Sequence, residues 1–410
     1  MAFSENLLSC LLPDGISGMD LLQVLLQHFG SAVHPDDGRE VLYPKDPPYA
    51  LRVVFNKRGE PIEARAAEAM TPESFTSLRE RILREFVESA GLGVNRLVYF
   101  CMAPVLGWWR YRDYFQILPV PEAAPKADFA FLDHPFLIEF RYTRAPDFFL
   151  DSCRRARVVA KLALLLNALL VSPVQPLGKR SLGNLRFAWV MIPPEKEGTE
   201  LRIAYRQEGY HYDGMCNPAE NFSPVSHLEP IGAVSPQDYY RGEHRSNDKA
   251  LKIPLDLSES FDRFYALGPG AQDRFLNACY WLSQANFACS WSMTFLAAIQ
   301  AIETLVEPAT GGATCAQCGV TKRPGPTQQF ASFLKRYVPS GQEGDEGHGL
   351  LYKIRSGLTH GYHPPFLVDT EIFGMLSPAA EQQGQHLTLA LTSARVALRN
   401  WLHDGDRSAC

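Results

Sequence analysis

The sequence predicts an α+β N-terminal domain with a largely antiparallel sheet at residues 1–255, followed by an all-α helical bundle at residues 256–410. Three observations lead to this fold class. The chain has 410 residues, which is more than the roughly 100–200 residues of one ordinary domain. Short strand-like runs are confined to the first half, whereas apolar residues at helical spacing dominate after residue 268. With 46% hydrophobic and 21% charged residues, the composition is that of a globular protein.

The N-terminal half alternates helical and strand-like segments. Helical spacing occurs at 21–29 and 74–91, and the second segment has capping signals at 71–73 and at Gly91. A third helix is expected around 147–170. Strands are predicted where β-branched and aromatic residues form short runs, at 50–55, 96–100, 113–120, 135–142, 186–192 and 201–212.

Residues 214–258 are rich in Pro, Ser, Asn and Gly, so we expect irregular structure there and a domain boundary near residue 255. The helices beyond it form a predicted bundle of about five. They are expected at 273–287, after the breaker Gly268-Pro269-Gly270, and at 290–307, 328–338, 349–360 and 386–404.

Composition excludes several classes of protein. A net charge of −5 argues against a general basic surface for nucleic acid. The nine cysteines show no disulfide framework, which suits a reducing compartment. The first residues lack the features of a secretory signal, and the longest apolar run, 162–171, is about half of a membrane span. We therefore expect a soluble cytoplasmic protein without a membrane partner.

One motif suggests chemistry. Residues 351–365 read LYKIRSGLTHGYHPP, with Arg355 and His360 five positions apart. In a straight helix these two would be separated by roughly 140°. Gly357 weakens the helix between them, and Gly361 ends it, so His360 is expected in a frayed or capped last turn. Its ring would then be able to turn toward the arginine or toward a second subunit.

Arginine and histidine are suited to cutting RNA without a metal. RNA carries its own nucleophile, the 2′-hydroxyl, and histidine can accept that proton near neutral pH. Arginine can neutralise the phosphorane because its charge is permanent and its fork matches phosphate oxygens. The products would be a 2′,3′-cyclic phosphate and a 5′-hydroxyl.

The motif and its setting resemble the HEPN superfamily of ribonucleases and RNA-binding domains. The segment LYKIRSGLTHG, downstream of AIETLVE in a helical C-terminal region, is similar to the ApeA-like branch of bacterial HEPN proteins. The resemblance covers about residues 265–405. It implies that Arg355 and His360 are the catalytic pair, that Ser356 takes the polar position beside the arginine, and that two motifs meet in a homodimer.

The resemblance also implies a biological role. ApeA-like proteins are associated with abortive infection, an antiviral defence of bacteria against phage, and the N-terminal domain would sense a phage-derived or other trigger. Two alternatives stay open. The HEPN dimer binds RNA or scaffolds a partner without cutting it, or the motif is a helix cap whose histidine bonds the following loop.

Other residues extend the predicted site. Glu303 lies on an apolar helix stripe, where a carboxylate is costly unless paired, so we expect it either to contact Arg355 or to lie at a partly exposed helix edge. Four more side chains are candidate RNA-binding residues: Lys353, Lys335, Arg336 and Tyr362. We expect no cofactor for catalysis.

Cys315 and Cys318 form a C-x2-C pair, which is half of a zinc knuckle. A structural zinc would need two further ligands, from His348, Cys279, Cys289 or a dimer mate. The alternative is a reduced loop without metal.

A different nuclease class would use Asp133 and Glu139, which partly match the D…E-x-K pattern of metal-dependent nucleases. The lysine is absent, and strand alternation predicts Glu139 and Arg141 as solvent-facing residues.

Overall fold

A computed structural model describes residues 7–8, 18–35, 39–46, 48–56, 60–67, 69–85, 91–125, 133–176, 189–192, 203–206, 209–215, 219–241, 249–307, 313–314, 321–322, 324–338, 344–370 and 377–404. An N-terminal α+β region with antiparallel sheets precedes a helix-rich C-terminal region, which confirms the predicted fold class. Among the described helices, none combines the length and the apolar character that crossing a membrane requires.

The chain divides into two compact units. Unit 1 comprises Met1–Asn95, Phe140–Val159 and Pro218–Asn221. Unit 2 comprises Arg96–Glu139, Ala160–Asn217 and Phe222–Cys410. The predicted boundary between residues 255 and 256 lies inside unit 2 and remains a prediction.

Unit 1 contains a three-stranded antiparallel sheet with two helices. Its elements in chain order are α1 (Gly18–Phe29), β1 (Glu40–Tyr43), β2 (Leu51–Phe55), β3 (Pro61–Ala66) and α2 (Pro72–Leu83). Leu51, Val53 and Phe55 alternate along β2 and are buried, which is the pattern of a strand with one face on a core. The predicted start of α2 is confirmed, because Thr71 Oγ1 accepts a hydrogen bond from Ser74 N at 3.1 Å.

A five-stranded sheet lies mainly in unit 2. Its strands are β4 (Leu92–Cys101), β5 (Trp109–Tyr111), β6 (Phe115–Pro119), β7 (His134–Thr143) and β8 (Val174–Pro176), in the order β5-β6-β7-β4-β8. The pairs β5–β6 and β4–β8 are antiparallel. Helix α3 (Phe148–Leu169) follows β7, and β9 (Trp189–Ile192) pairs antiparallel with β10 (Ile203–Arg206).

The strand predicted at 201–212 is shorter than expected. It is extended over β10, whereas residues 209–215 are irregular. Tyr210 is buried there, packs edge-on against Phe100 with ring centroids 5.5 Å apart, and donates its hydroxyl to Pro125 O at 2.6 Å. These contacts place the tyrosine in a core without a strand partner.

The segment predicted to be irregular, 214–258, contains regular structure. Strands β11 (Ala233–Val234) and β12 (Ile253–Pro254) pair in parallel, with α4 (Pro236–Arg241) between them. Tyr239 and Tyr240 of α4 are buried, and Tyr240 donates to Leu169 O at 2.9 Å. Tertiary contacts of these tyrosines therefore stabilise α4. The polar composition of the flanking segments does not predict such contacts.

The C-terminal half is helical, as predicted. Its elements are α5 (Leu257–Ala266), α6 (Pro269–Phe287), α7 (Trp291–Leu305), β13 (Ala313–Thr314), β14 (Thr321–Lys322), α8 (Pro326–Tyr337), α9 (Gly344–His360), α10 (Leu367–Thr370) and α11 (Pro378–Leu402). The five predicted helices correspond to α6, α7, α8, α9 and α11. Pro269 belongs to α6 instead of breaking it, because Gly268 is the N-cap and proline is tolerated in the first turn.

Helix α7 lies at the centre of the helical half and packs against α6, α9 and α11. Its buried side chains are Phe295, Ala297, Ala298, Ile299, Ala301, Ile302 and Leu305. Helices α6 and α11 also contact each other, because Trp401 of α11 stacks on Phe275 of α6 with ring centroids 5.8 Å apart. Helix α9 is supported by α7 and α8, so the Arg355–His360 motif lies on an element that two neighbours position.

Candidate functional site on helix α9

Arg355 forms an ion pair inside the helical half. Its Nη2 donates to Glu303 Oε2 of α7 at 3.0 Å, and the two side chains are 25% and 19% exposed. The contact predicted for Glu303 is therefore present, while its role stays a prediction. The guanidinium also lies 5.8 Å from the ring centroid of Tyr352, and that ring packs on Phe330 of α8 at 5.2 Å.

The pairing with Glu303 uses only part of the hydrogen-bonding capacity of the arginine. A guanidinium carries five N–H donors, and within the described residues Arg355 donates one hydrogen bond, to Glu303. The carboxylate and the Tyr352 ring fix the position of the charge. The side chain is 25% exposed, and guanidinium donors that are not used by Glu303 are of the kind that bind phosphate oxygens.

Helix α9 ends in a defined cap. Gly361 adopts the left-handed conformation with φ of +76°, and the amides of Tyr362 and His363 donate to Gly357 O at 2.9 and 3.1 Å. This is the hydrogen-bond pattern of a glycine-terminated helix. We call residues 357–363 the α9 cap. Of the two expected states of the last turn, frayed or capped, the structure has the capped one.

The segment after the α9 cap is anchored on α7. Phe366 is buried, packs on Phe295 with ring centroids 5.6 Å apart, and its amide donates to Ser292 Oγ at 2.8 Å. Asp369 then accepts hydrogen bonds from the amides of Trp291 and Ser292, both at 2.8 Å, at the N-terminus of α7. The exposed residues 361–365 are therefore held at both ends.

His360 is exposed at the end of α9 and does not contact Arg355. Its ring lies 6.2 Å from that of Tyr362, which is 83% exposed. The helix continues through Gly357, so the two motif residues keep the roughly 140° separation of a straight helix. In the described part of the chain no hydrogen bond or ion pair joins them. Arg355 and His360 of one chain are therefore not in direct contact.

The remaining predicted residues differ in their surroundings. Ser356 is half-buried on α9 beside Arg355, whereas Lys353 and Lys335 are exposed. Arg336 pairs with Asp404 at 2.7 Å, so part of its charge is already neutralised. All four candidate RNA-binding side chains are exposed: Lys353, Lys335, Arg336 and Tyr362.

Sequence reasoning missed His363. A Cβ on Gly357 would lie 2.7 Å from His363 Cγ and 2.8 Å from its Nε2, so the imidazole occupies the space that the glycine leaves free. The sequence shows only that Gly361 lies between the two residues and can reverse the chain; the contact of the imidazole with Gly357 is visible only in the structure.

Cys315 and Cys318, the two cysteines of the zinc hypothesis, lie outside the described residues. The other proposed ligands have different environments: Cys279 is fully buried, Cys289 is exposed and His348 is buried. Over the ranges that the structure describes, no group of three or more His, Cys, Asp or Glu side chains could hold a metal ion.

The prediction that Glu139 faces solvent is wrong. The carboxylate is fully buried and both oxygens are hydrogen-bonded: Oε1 to Arg96 Nη2 at 2.6 Å and Ser223 Oγ at 2.6 Å, and Oε2 to Gln116 Nε2 at 2.6 Å and Ser223 N at 2.8 Å. Burial raises the pKa of Glu139, but the hydrogen bonds from Ser223 and Arg96 outweigh it, so the pKa is lowered overall.

These partners weaken the metal-nuclease alternative. Asp133 is also buried. In Glu139, Oε1 already accepts three hydrogen bonds, two from Arg96 and one from Ser223, and Oε2 accepts two. A metal-binding carboxylate must present a free oxygen. The alternation rule failed here because the middle of β7 is covered on both faces, with every residue from Pro135 to Phe140 buried.

A serine–histidine pair occurs elsewhere in the helical half. Ser260 Oγ of α5 lies 2.8 Å from His403 Nε2 at the end of α11, and His403 Nδ1 lies 3.6 Å from Glu259. Burial, together with the charge of Arg399, lowers the pKa of His403. Ser260 is fully buried, so no substrate reaches its hydroxyl, and the pair connects two helices.

No protein-family model, curated protein or solved structure matches this chain. The resemblance to the HEPN superfamily therefore rests on the α9 motif and its helical setting alone.

Alanine substitutions at Gly349, inside α9, and at Gly361, directly after it, are expected to have opposite effects on stability. Gly361→Ala forces a side chain into the left-handed conformation and should lower the free energy of unfolding by about 1 kcal/mol. Gly349→Ala is its matched control, because a Cβ there meets nothing within 4 Å and alanine should stabilise the helix by about 0.5–1 kcal/mol. Urea unfolding followed by circular dichroism measures both. Shifts in the same direction would contradict the cap.

We expect Glu139 to stabilise the fold at neutral pH and to lose this effect in acid. Since its folded pKa is below the ordinary value of 4.5, the carboxylate stabilises the fold above that pH and loses this effect as pH falls through the folded pKa. Glu139→Gln should cost about 3 kcal/mol at pH 7, because Arg96 loses its buried partner.

The exposed Glu122 supplies the control, and Glu122→Gln should change stability by less than about 0.5 kcal/mol. Thermal unfolding between pH 3 and 7 compares the three proteins. A Glu139→Gln variant that is as stable as wild type at pH 7 would contradict the buried network.

Proposed function

We propose that this protein is a metal-independent RNA endonuclease whose site combines Arg355 of one copy with His360 of a second copy in a homodimer. The supporting observation is the arrangement on α9: the guanidinium is held in place with donors to spare, and the imidazole is exposed at the capped end of the same helix. Since about 140° separates them, an arginine and a histidine that act on one phosphate would come from two copies.

In this proposal His360 accepts the proton of the 2′-hydroxyl, and the 2′-oxygen attacks the adjacent phosphorus. The Arg355 guanidinium binds the non-bridging oxygens, whose negative charge grows in the phosphorane, and so lowers the barrier. Glu303 orients the guanidinium through the 3.0 Å contact, and Ser356 lies beside it. The products are a 2′,3′-cyclic phosphate and a 5′-hydroxyl.

RNA would contact side chains around this centre. Lys353 is exposed on α9 and can bind a phosphate as a point charge, while the exposed ring of Tyr362 can stack on a base. Lys335 and Arg336 on α8 would contribute at longer range, with Arg336 weakened by its contact with Asp404. These contacts are local, as the net charge of −5 requires.

The biological role in this proposal follows the resemblance to ApeA-like HEPN proteins. The nuclease would act in the cytoplasm during abortive infection, and the N-terminal α+β region would respond to a phage-derived or other trigger. A nuclease of this kind must be inactive before the trigger arrives.

The Glu303–Arg355 ion pair also favours a second candidate, a HEPN dimer that binds RNA or a partner without cleaving it. The carboxylate neutralises part of the charge that the phosphorane needs, so a permanent pair would leave binding without chemistry. Cleavage itself distinguishes the two candidates.

Arg355→Ala and His360→Ala should each lower RNA cleavage by about 10²-fold or more, because each removes one of the groups that stabilise the transition state. Total RNA is incubated in EDTA, and the cleaved ends are examined for cyclic phosphates. His227→Ala, at another exposed histidine, is the control and should cleave like wild type. Equal cleavage by all four proteins would refute the proposal.

A further inference from the structure

The second histidine of the α9 cap, His363, is held against the helix. Its amide donates to Gly357 O at 3.1 Å, and its imidazole occupies the position that a side chain at 357 would need. The residue is nonetheless exposed to solvent. The backbone of His363 is hydrogen-bonded and its ring lies against Gly357. The exposed imidazole is therefore available to a ligand at the end of α9.

Helix geometry places this imidazole near His360. Residues 357 and 360 are three apart, and in a helix such positions are neighbours with about 5–6 Å between their Cβ atoms. The ring of His363 covers the Cβ position of 357. The two histidines of the α9 cap therefore lie on one side of α9, at its end.

Arg355 lies on the other side. It precedes Gly357 by two positions, which corresponds to roughly 160° about the helix axis, and its guanidinium donates to Glu303 of α7. Each copy of the chain thus presents two imidazoles together and its arginine apart from them.

RNA cleavage requires two proton transfers, and His360 can perform one of them. We propose that His363 is a second catalytic residue, the general acid that protonates the departing 5′-oxygen. This inference rests on the proposed function. His360 takes the proton of the 2′-hydroxyl, the 2′-oxygen forms a bond to phosphorus, the bond from phosphorus to the 5′-oxygen breaks, and that oxygen receives the proton of the His363 imidazolium.

The protons and bonds of this step balance. One proton enters at His360 and one leaves from His363, so the products are the cyclic phosphate and the 5′-hydroxyl. Water then returns the two imidazoles to their starting forms. Two histidines are suited to these roles because the group changes protonation near neutral pH, and general acid catalysis contributes typically 10²–10⁴-fold.

A purely structural His363 would fill the space beside Gly357 and complete the α9 cap. The two roles differ in one respect that can be measured. A general acid is needed only when the leaving oxygen requires a proton, whereas a structural residue affects every substrate equally.

The experiment compares two RNA oligonucleotides that contain one mapped cleavage site. The first has the natural 5′-oxygen, and the second has sulfur at that bridging position, where the thiolate leaves without protonation. His363→Ala should lose about 10²-fold or more on the oxygen substrate and cleave the sulfur substrate at nearly the wild-type rate. His360→Ala should be slow on both, since the 2′-hydroxyl must still lose its proton.

Gly357→Ala is a second variant that leaves both histidines unchanged. Its new methyl group displaces the His363 imidazole, so it should reproduce the pattern of His363→Ala. Alanine favours a helix, and circular dichroism checks that the variant folds. His227→Ala should behave as wild type on both substrates.

The outcomes separate the two proposals. If His363→Ala is as active as wild type on both substrates, or equally impaired on both, His363 is not the general acid, and the Arg355–His360 nuclease stands. If wild type cleaves neither substrate, or if Arg355→Ala and His360→Ala cleave like wild type, the proposed function fails and this inference fails with it.

Discussion

The carbonyl of Gly357 is the point on which the arrangement at the end of α9 depends. It accepts the amides of both Tyr362 and His363, and it can do so because Gly361 adopts a left-handed conformation. This cap ends the helix at His360, reverses the chain and lays His363 onto Gly357. Beyond the cap, Phe366 and Asp369 attach the chain to α7 through hydrogen bonds with Ser292 and Trp291.

The same support explains how the charges are distributed. Helix α7 carries Glu303, which holds Arg355, and its N-terminus is capped by Asp369. The buried apolar face of α7 fixes both contacts relative to each other. The arginine is thereby held on the α7 side of α9, while the histidines of the α9 cap lie in solvent. Within one chain the arginine and the histidines are apart. We propose that two copies face each other, so that Arg355 of one copy and His360 of the other form one site.

Local signals predicted most of the fold. The start of α2 at Thr71-Pro72 and the end of α9 at Gly361 follow from the capping preferences of a few adjacent residues. Pro269 was misread because the same residue both breaks helices and begins them. The contact between Glu303 and Arg355 could be expected because a carboxylate on an apolar stripe requires a partner.

Long-range contacts were not readable from the sequence. The burial of Glu139 depends on Arg96, Gln116 and Ser223, which lie between 23 and 84 residues away along the chain. The position of His363 depends on the space above Gly357, which is visible only in three dimensions. Helix α4 forms because Tyr239 and Tyr240 are buried, although the surrounding composition indicates a loop.

The central claim, that Arg355 and His360 act together from different copies, is tested most directly by mixing two inactive variants. Arg355→Ala and His360→Ala are combined under conditions that allow subunits to exchange, and RNA cleavage is measured. If the site is composite, about half of the dimers are mixed and each carries one intact site, so roughly a quarter of wild-type activity should return. A mixture that exchanges subunits and stays as inactive as either variant alone would contradict the claim.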